Sequence, residues 1–270
     1  TNIVPGAFNI QSWTLNNSLI DYVGYIPNNT GYNVRDDSFT DSSLTQENLY
    51  DFGNDFDVSD NGEVLITVAK YTDKANVVAV YRNNNGFFQW SQDLTVDSVT
   101  VEYGNSISIN NDGTVIVVGS PKDSTKKNNQ GQVYVYKQSS GKFILSQILE
   151  SPSNKIAEMF GFKVSCDKNK IIVNAKNGEE NINTTFDKNR TYFDNKFTYF
   201  AFEKDDNGVI HVYEDVNGTY VYGDAISYIS TDGPVYYFGR DSKIIDNHIY
   251  AALPKASTSE DNIGKIIDFS

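Results

Sequence analysis

The sequence contains very little cysteine, histidine or methionine. Its 270 residues include one cysteine, Cys166, two histidines, His211 and His248, and one methionine. A single cysteine excludes an internal disulfide and a cysteine-based metal cluster, and two histidines exclude a three-histidine metal site. The fold must therefore be held together by its core, in which we expect Cys166 to be inert and both histidines to be structural.

Positive charge is also scarce. The 22 lysines and arginines are outnumbered by 35 aspartates and glutamates, which gives a net charge of -13. An acidic chain is repelled by nucleic-acid phosphates and by anionic membrane surfaces, and no run of about 18 apolar residues is present to span a bilayer. We therefore predict neither nucleic-acid binding nor membrane insertion. The sequence lacks a signal-peptide pattern and begins at Thr1 rather than Met, as expected of a processed or excised piece of a longer protein.

What the sequence does contain is a repeat of short strands and turns. Aromatic residues make up 13% of the chain, which favours strands. Copies of the repeat begin at Phe52, Tyr103, Phe160 and Phe238, each with an aromatic-glycine pair followed by short apolar strands. Several of the turns are Asn-Gly or Asp-Gly, the dipeptides that fit two-residue hairpins. We therefore predict an all-β protein, a β-propeller whose blades are four-stranded antiparallel sheets.

The repeat also predicts how the chain is divided. Blades are expected at about residues 50–102, 103–159, 160–237 and 238–269. Residues 1–49 hold an N-terminal strand and an irregular segment. The fourth copy is one strand short, and the segment Gly6–Trp13 resembles the outer strands that start at Gly86 and Gly141. This segment either completes the last blade, closing a small ring, or belongs to a preceding blade of a partial propeller.

The second copy shows the motifs most clearly. It contains Tyr103-Gly104, then Gly119-Ser120-Pro121, then the strand Gly131–Tyr136. This order resembles the FG-GAP repeat, the unit of integrin α-subunit-like propellers. The match is looser elsewhere, since Ala69-Lys70 and Asn174-Ala175-Lys176 replace the glycine-containing motif in the first and third copies. Integrin-like propellers have seven blades, whereas four copies are visible here.

The resemblance implies a protein that binds other proteins or glycans outside the cell or on a virion or cell surface. The asparagine-rich, cysteine-poor composition is also similar to that of phage or large-virus structural proteins. We therefore expect a non-enzymatic structural or interaction module, tail- or capsid-associated in a virion or exposed on a cell. Its partners would be other structural proteins or a host receptor or glycan, within a larger complex. The alternative is an extracellular carbohydrate-active enzyme that uses carboxylates on the propeller face.

No segment carries a complete catalytic or metal-binding pattern. Asp57–Gly62 and Ser108–Gly113 resemble part of a calcium-binding loop, but Leu65 stands where the first would need its late carboxylate. We predict hairpin turns without a metal at both segments. A Ser-His-Asp arrangement, whose members meet only in space, is left open, but no Gly-x-Ser-x-Gly elbow supports it. We therefore predict no catalytic residue, no metal and no cofactor.

The third copy is enlarged by an insertion at residues 177–207. Long connections in compact domains are usually functional, and exposed aromatic side chains supply contact area at low entropic cost. The insertion is rich in aromatic residues, and those we predict to bind a partner are Phe186, Tyr192, Phe193 and Tyr199. The alternative is that these side chains pack beneath their own loop as a small private core.

Overall fold

The protein is described by a computed structural model over most of its repeat region. The described residues are 9–16, 19–27, 49–71, 76–96, 102–153, 156–177, 208–227, 235–236, 238, 240–257 and 262–269. Within these ranges the regular structure consists of strands alone, without a helix. Four antiparallel sheets form the blades of a four-bladed β-propeller, which confirms the predicted fold class.

The N-terminal part of the described chain forms a hairpin and the first blade. The hairpin consists of β1 (Asn9–Asn16) and β2 (Leu19–Pro27), which pair with each other in a two-stranded sheet. The first blade follows in the order β3 (Leu49–Val58), β4 (Val64–Tyr71), β5 (Val77–Asn84) and β6 (Phe87–Leu94). Strand β2 lies beside β6. The predicted domain division, including the role of the N-terminal strand in the last blade, stays a prediction.

The second and third blades repeat the order of the first. The second consists of β7 (Ser106–Ile109), β8 (Val115–Ser120), β9 (Gln132–Ser139) and β10 (Lys142–Glu150). The third consists of β11 (Phe160–Asp167), β12 (Lys170–Ala175), β13 (Val209–Val216) and β14 (Thr219–Ile226). In both, each strand pairs with the next along the chain, so these blades, like the first, are meanders with the first strand at one edge.

The fourth sheet is built differently. Its strands are β15 (Val235–Tyr236), β16 (Ser242–Ile245), β17 (His248–Ser257) and β18 (Asn262–Phe269). Ala251 of β17 pairs with Ser242 on one side and Ile267 on the other, while Ala256 pairs with Val235 and Ile263. Strands β15 and β16 therefore share the same edge of β17. The four strands occupy three positions across the sheet, against four in each other blade.

The core lies between blades, since both faces of a blade are covered by its neighbours. Strand β8 shows this most clearly, because all six of its residues are buried. Ile116 and Val118 pack towards the first blade, whereas Val115 and Val117 pack towards the third. Two-sided burial explains the nearly continuous apolar runs in the sequence. Each such side chain contributes roughly 1.5–3 kcal/mol to stability.

Glycines allow the backbones of adjacent blades to touch. A Cβ atom on Gly131 would collide with the carbonyl oxygen of Phe160, the residue that starts the next blade. Gly208 stands at the same point of the third copy, and a Cβ there would collide with the Phe238 carbonyl oxygen. Gly131 also has a φ of +87°, which side-chain-bearing residues rarely adopt. The repeated glycine before the third strand is therefore required by the junction between blades.

The variant Gly131→Ala tests this requirement. We expect it to lower the free energy of unfolding by more than about 2 kcal/mol, because backbone strain and a clash add together. Gly141→Ala is the matched control, since Gly141 has a φ of +80° but nothing within 4 Å of an added Cβ. The control should cost about 1 kcal/mol in urea denaturation. Equal losses in the two variants would contradict the proposed backbone contact.

Candidate functional site

The innermost strands of the four blades meet at the centre of the propeller. Strands β3, β7, β11 and β16 contribute to the wall of a cavity of about 300 Å³, which we call the axial cavity. Its wall carries three carboxylates and two ammonium groups. These belong to Asp55, Asp57, Asp241, Lys163 and Lys243. The axial cavity therefore contains both negatively and positively charged groups, and it is the candidate functional site.

The polar side chains occupy equivalent places in the four inner strands. Counted from the aromatic residue that starts each copy, they stand at the third and fifth following positions, which share one face of a strand. The third positions hold Asp55, Ser106, Lys163 and Asp241, and the fifth hold Asp57, Ser108, Ser165 and Lys243. These two positions are polar in every copy.

At the third positions, the side chains of the first three blades each reach the next blade. Asp55 Oδ2 accepts a hydrogen bond of 3.0 Å from the backbone N–H of Ile107. Ser106 Oγ accepts one of 3.2 Å from the backbone N–H of Val164. Lys163 Nζ lies 3.7 Å from Asp241 Oδ1 of the fourth blade. The row thus joins the four inner strands in chain order.

The fifth positions form a second row of the same kind. Asp57 Oδ2 accepts hydrogen bonds of 3.0 Å from both Ser108 Oγ and the Ile109 backbone N–H. Ser108 Oγ in turn accepts a hydrogen bond of 3.2 Å from the backbone N–H of Cys166. The carboxylate of the first blade therefore begins a chain of bonds that runs through the second blade into the third.

The fifth-position row closes on itself. Ser165 Oγ accepts a hydrogen bond of 3.2 Å from the backbone N–H of Ile244 in the fourth blade. One residue earlier, Lys243 Nζ lies 3.6 Å from Asp57 Oδ2 of the first blade. Asp57 is thus the point at which the last blade meets the first, and its carboxylate contacts both neighbouring blades.

The environment of the axial cavity changes the protonation of Asp55. Burial raises the pKa of the Asp55 carboxyl above its ordinary value, although Lys163 and the backbone N–H groups of Ile107 and Phe56 oppose this effect. A raised pKa is one of the features of a general acid.

A second ionisable pair lies away from the axis, inside the third blade. Glu158 Oε1 is 3.4 Å from His211 Nε2, and their side chains are 0% and 4% exposed. The His211 ring packs against the rings of Phe160 and Tyr222, with centroids 5.5 Å and 6.0 Å away. His211 and Glu158 are therefore enclosed by protein. His248 is partly exposed, and its Nδ1 lies 3.2 Å from Asp268 Oδ1.

The charge of Glu158 is stabilised by its neighbours. Burial raises the pKa of the Glu158 carboxyl, but the neighbouring His211, Ser151 and Ser153 side chains lower it by more, so that the pKa lies below its ordinary value. The pKa of Cys166 is shifted in the opposite direction. Its side chain is buried in the core, as predicted, and burial raises the pKa of its thiol to about 12.

The two segments that resemble calcium loops are turns between strands. Asp57 directs its carboxylate to the second blade, and Ser59 Oγ donates a 2.6 Å hydrogen bond to Asn61 Oδ1 within the first turn. In the second turn, Thr114 Oγ1 donates to Asp112 Oδ1. Among the described residues, no group of three His, Cys, Asp or Glu side chains is placed to hold a metal ion.

The structure describes a different site from the one that the sequence analysis singled out. The predicted partner-binding residues Phe186, Tyr192, Phe193 and Tyr199 lie outside the described residues, so that assignment stays a prediction. The sequence analysis did not identify the residues of the axial cavity as a site. Aligning the four copies would have indicated it, because each copy has polar residues at the same two positions of its inner strand.

Comparison with known proteins supports the repeat. Residues 98–136 match the FG-GAP repeat. The predicted resemblance is thereby confirmed at the second copy, and the propeller is the kind of fold that serves protein interaction. The solved structure of TolB from Acinetobacter baumannii is similar, with 10% sequence identity and a TM-score of 0.41. The match covers 79% of this chain and 40% of TolB.

A search of curated proteins found no match. The described part of the chain contains no helix with the length and apolar character needed to cross a membrane.

The Glu158 pair predicts a pH dependence of stability. Because the folded pKa of Glu158 lies below the ordinary value of 4.5, its stabilising contribution is complete above about pH 4.5 and is lost as the pH falls through the folded pKa. Below about pH 4.5, the free energy of unfolding should therefore fall less steeply in Glu158→Gln than in the wild type. Urea titrations at several pH values measure this, and parallel pH curves would contradict it.

Proposed function

We propose that the protein is a non-enzymatic structural or attachment component of a virion or cell surface. On a virion it would belong to the tail or be associated with the capsid. Its partners are other structural proteins or a host receptor or glycan. The proposal rests on the structural role of the charged side chains in the axial cavity. The Asp57 carboxylate contacts Ser108, Ile109 and Lys243, so it is committed to joining blades.

The FG-GAP match and the acidic surface support the same proposal. Propellers of this kind present loops and blade edges to partner proteins. A net charge of -13 suits partners with basic surfaces and repels nucleic acid. The proposal places the protein in a virion or outside the cell, within a larger complex. The four insertion aromatics remain the predicted partner-binding residues.

A carbohydrate-active enzyme is the second candidate. It is favoured by the raised pKa of Asp55 and by the carboxylates that share the axial cavity, since glycoside hydrolysis uses a protonated acid beside a second carboxylate. One observation argues against the enzyme. The Oδ2 atom of Asp55 already accepts a hydrogen bond from the Ile107 backbone N–H.

One experiment distinguishes the interaction module from the carbohydrate-active enzyme. The protein is applied to immobilised polysaccharides and host-surface glycoproteins, and both retained protein and released sugar are measured. We expect retention without release. Replacing Phe186, Tyr192, Phe193 and Tyr199 together by serine should abolish retention, because interface aromatics carry much of a binding energy. Sugar release that disappears in Asp55→Asn would establish the enzyme instead.

The aromatic variant needs a stability control. Its free energy of unfolding is measured beside that of the wild type. If stability falls but retention is unchanged, the aromatics form a private core beneath their loop and the predicted site is wrong.

A further inference from the structure

Three of the four junctions between blades contain an apolar core that both neighbours share. One cluster joins the first and second blades, another joins the second and third, and another joins the third and fourth. The remaining cluster contains described residues of the first blade alone, among them Phe52, Leu65 and Tyr81. Within the described residues, the junction between the fourth and first blades therefore lacks a shared apolar core.

The first blade exposes an aromatic ring at this junction. Phe56 is the fourth residue after the start of its copy, and it is 55% exposed. The residues at the same position of the other copies are Ile107, Val164 and Ser242, which are 4%, 2% and 5% exposed. Those three pack against the preceding blade, whereas Phe56 borders the axial cavity.

The fourth blade exposes an aliphatic side chain at the same junction. Ile266 of β18 pairs with Ala252 of β17. This register makes Ile266 equivalent to Val78, Val133 and Ile210 in the other blades. Those three residues are 0% exposed, because the next blade covers them, whereas Ile266 is 77% exposed and borders the axial cavity.

The axial cavity thus extends from the axis into the junction between the fourth and first blades. Its wall contains Phe56 from the first blade and Tyr250 and Ile266 from the fourth, besides the charged groups. The cavity volume of about 300 Å³ is at the lower end of the range for small-molecule sites and far above the roughly 30 Å³ of one water molecule. The fold therefore leaves room for a small molecule beside two exposed apolar side chains.

Asp241 gives this cavity a carboxylate that can accept further hydrogen bonds. Its side chain is 69% exposed, and its Oδ1 lies 3.7 Å from Lys163 Nζ, which is too long for a hydrogen bond. Among the described residues, the Asp241 carboxylate has no other side-chain partner. A carboxylate has about four lone-pair sites, so Asp241 can receive an additional donor.

The two axial rows differ in charge where the fourth blade meets the first. The fifth-position row closes there with a base, because Lys243 Nζ lies 3.6 Å from Asp57 Oδ2. The row at the third positions has Asp241 on the fourth blade and Asp55 on the first, which are both acids. Burial raises the pKa of Asp55, so the positive charge around this carboxyl does not offset its loss of hydration. A bound cation would supply positive charge where this row has none.

We propose that the axial cavity binds a small organic cation, an amine with an apolar body. The ammonium group lies beside the Asp241 carboxylate, and the apolar body packs against Phe56 and Ile266. The apolar body covers Ile266 as the next blade covers its equivalents, and removal of this apolar surface from water favours binding. The ammonium group donates hydrogen bonds to Asp241.

The charge of the protein favours a cation over an anion or a neutral ligand. The cavity wall carries three carboxylates against two ammonium groups, and the whole chain has a net charge of -13. This binding is a further function beyond the proposed attachment role and does not depend on it. Retention on the glycoprotein panel is therefore a separate result from the binding of an amine.

Phenylethylamine is the probe, because at neutral pH it joins an ammonium group to a phenyl ring. NMR titration of the full chain measures its dissociation constant. We expect it to bind at least tenfold more tightly than phenylacetate, which has a similar body and the opposite charge. We also expect it to bind at least tenfold more tightly than methylamine, which has the charge without the apolar body.

Paired variants test the two halves of the site. Asp241→Asn should weaken phenylethylamine at least fivefold, whereas Asp60→Asn makes the same change at an exposed turn outside the cavity and should alter the affinity less than twofold. Ile266→Ser should also weaken it at least fivefold. Its control is Ile144→Ser, at a 56% exposed isoleucine of the second blade, which should leave the affinity unchanged.

Hydrogen exchange of the wild-type protein gives a readout that needs no variant. Exchange of the backbone amides of Phe56 and Ile266 should slow when phenylethylamine is added and should not slow with phenylacetate. Absence of phenylethylamine binding, equal binding of phenylacetate, or equal affinities of Asp241→Asn and Asp60→Asn would each overturn the proposal.

Discussion

The structure depends on how the backbone groups at the inner edges of the blades are satisfied. The first strand of a blade has one edge paired within its own sheet, and its other edge exposes N–H groups that need partners. Side-chain oxygens of Asp55, Asp57, Ser106, Ser108 and Ser165 accept hydrogen bonds from these groups across three of the four junctions. The blades are thereby joined at the axis by polar bonds and further out by apolar contact.

This constraint explains why the candidate site is charged. Serine side chains join the second and third blades, whereas Asp55 and Asp57 join the first to the second. The longer pairs Lys163–Asp241 and Lys243–Asp57 join the fourth blade to its two neighbours. The hydrogen bond of Asp55 and the contacts of Asp57 give both carboxylates a structural role.

Much of the fold could be predicted from the sequence, for reasons visible in single residues. The turns at Asn85-Gly86 and Ser140-Gly141 adopt the positive φ angles that such dipeptides tolerate. The glycines before the third strands of the second and third blades, Gly131 and Gly208, mark backbone contacts. The axial rows were missed because an isolated serine in an apolar strand carries no signal until the copies are superposed. The contact of Glu158 with His211 joins residues far apart in sequence, and no local pattern predicts such a meeting.

The most direct test of the blade-joining role of the axial side chains is the free energy of unfolding of Asp57→Ala beside that of Glu150→Ala. Asp57 accepts hydrogen bonds from Ser108 and Ile109, whereas Glu150 forms an exposed pair with Lys126. Removing a partly buried acceptor leaves its donors unsatisfied, so Asp57→Ala should lower the free energy of unfolding by about 2–3 kcal/mol. Glu150→Ala should cause no measurable change, because exposed ion pairs contribute little. A loss in Asp57→Ala as small as that in Glu150→Ala would contradict the claim that axial hydrogen bonds hold the blades together.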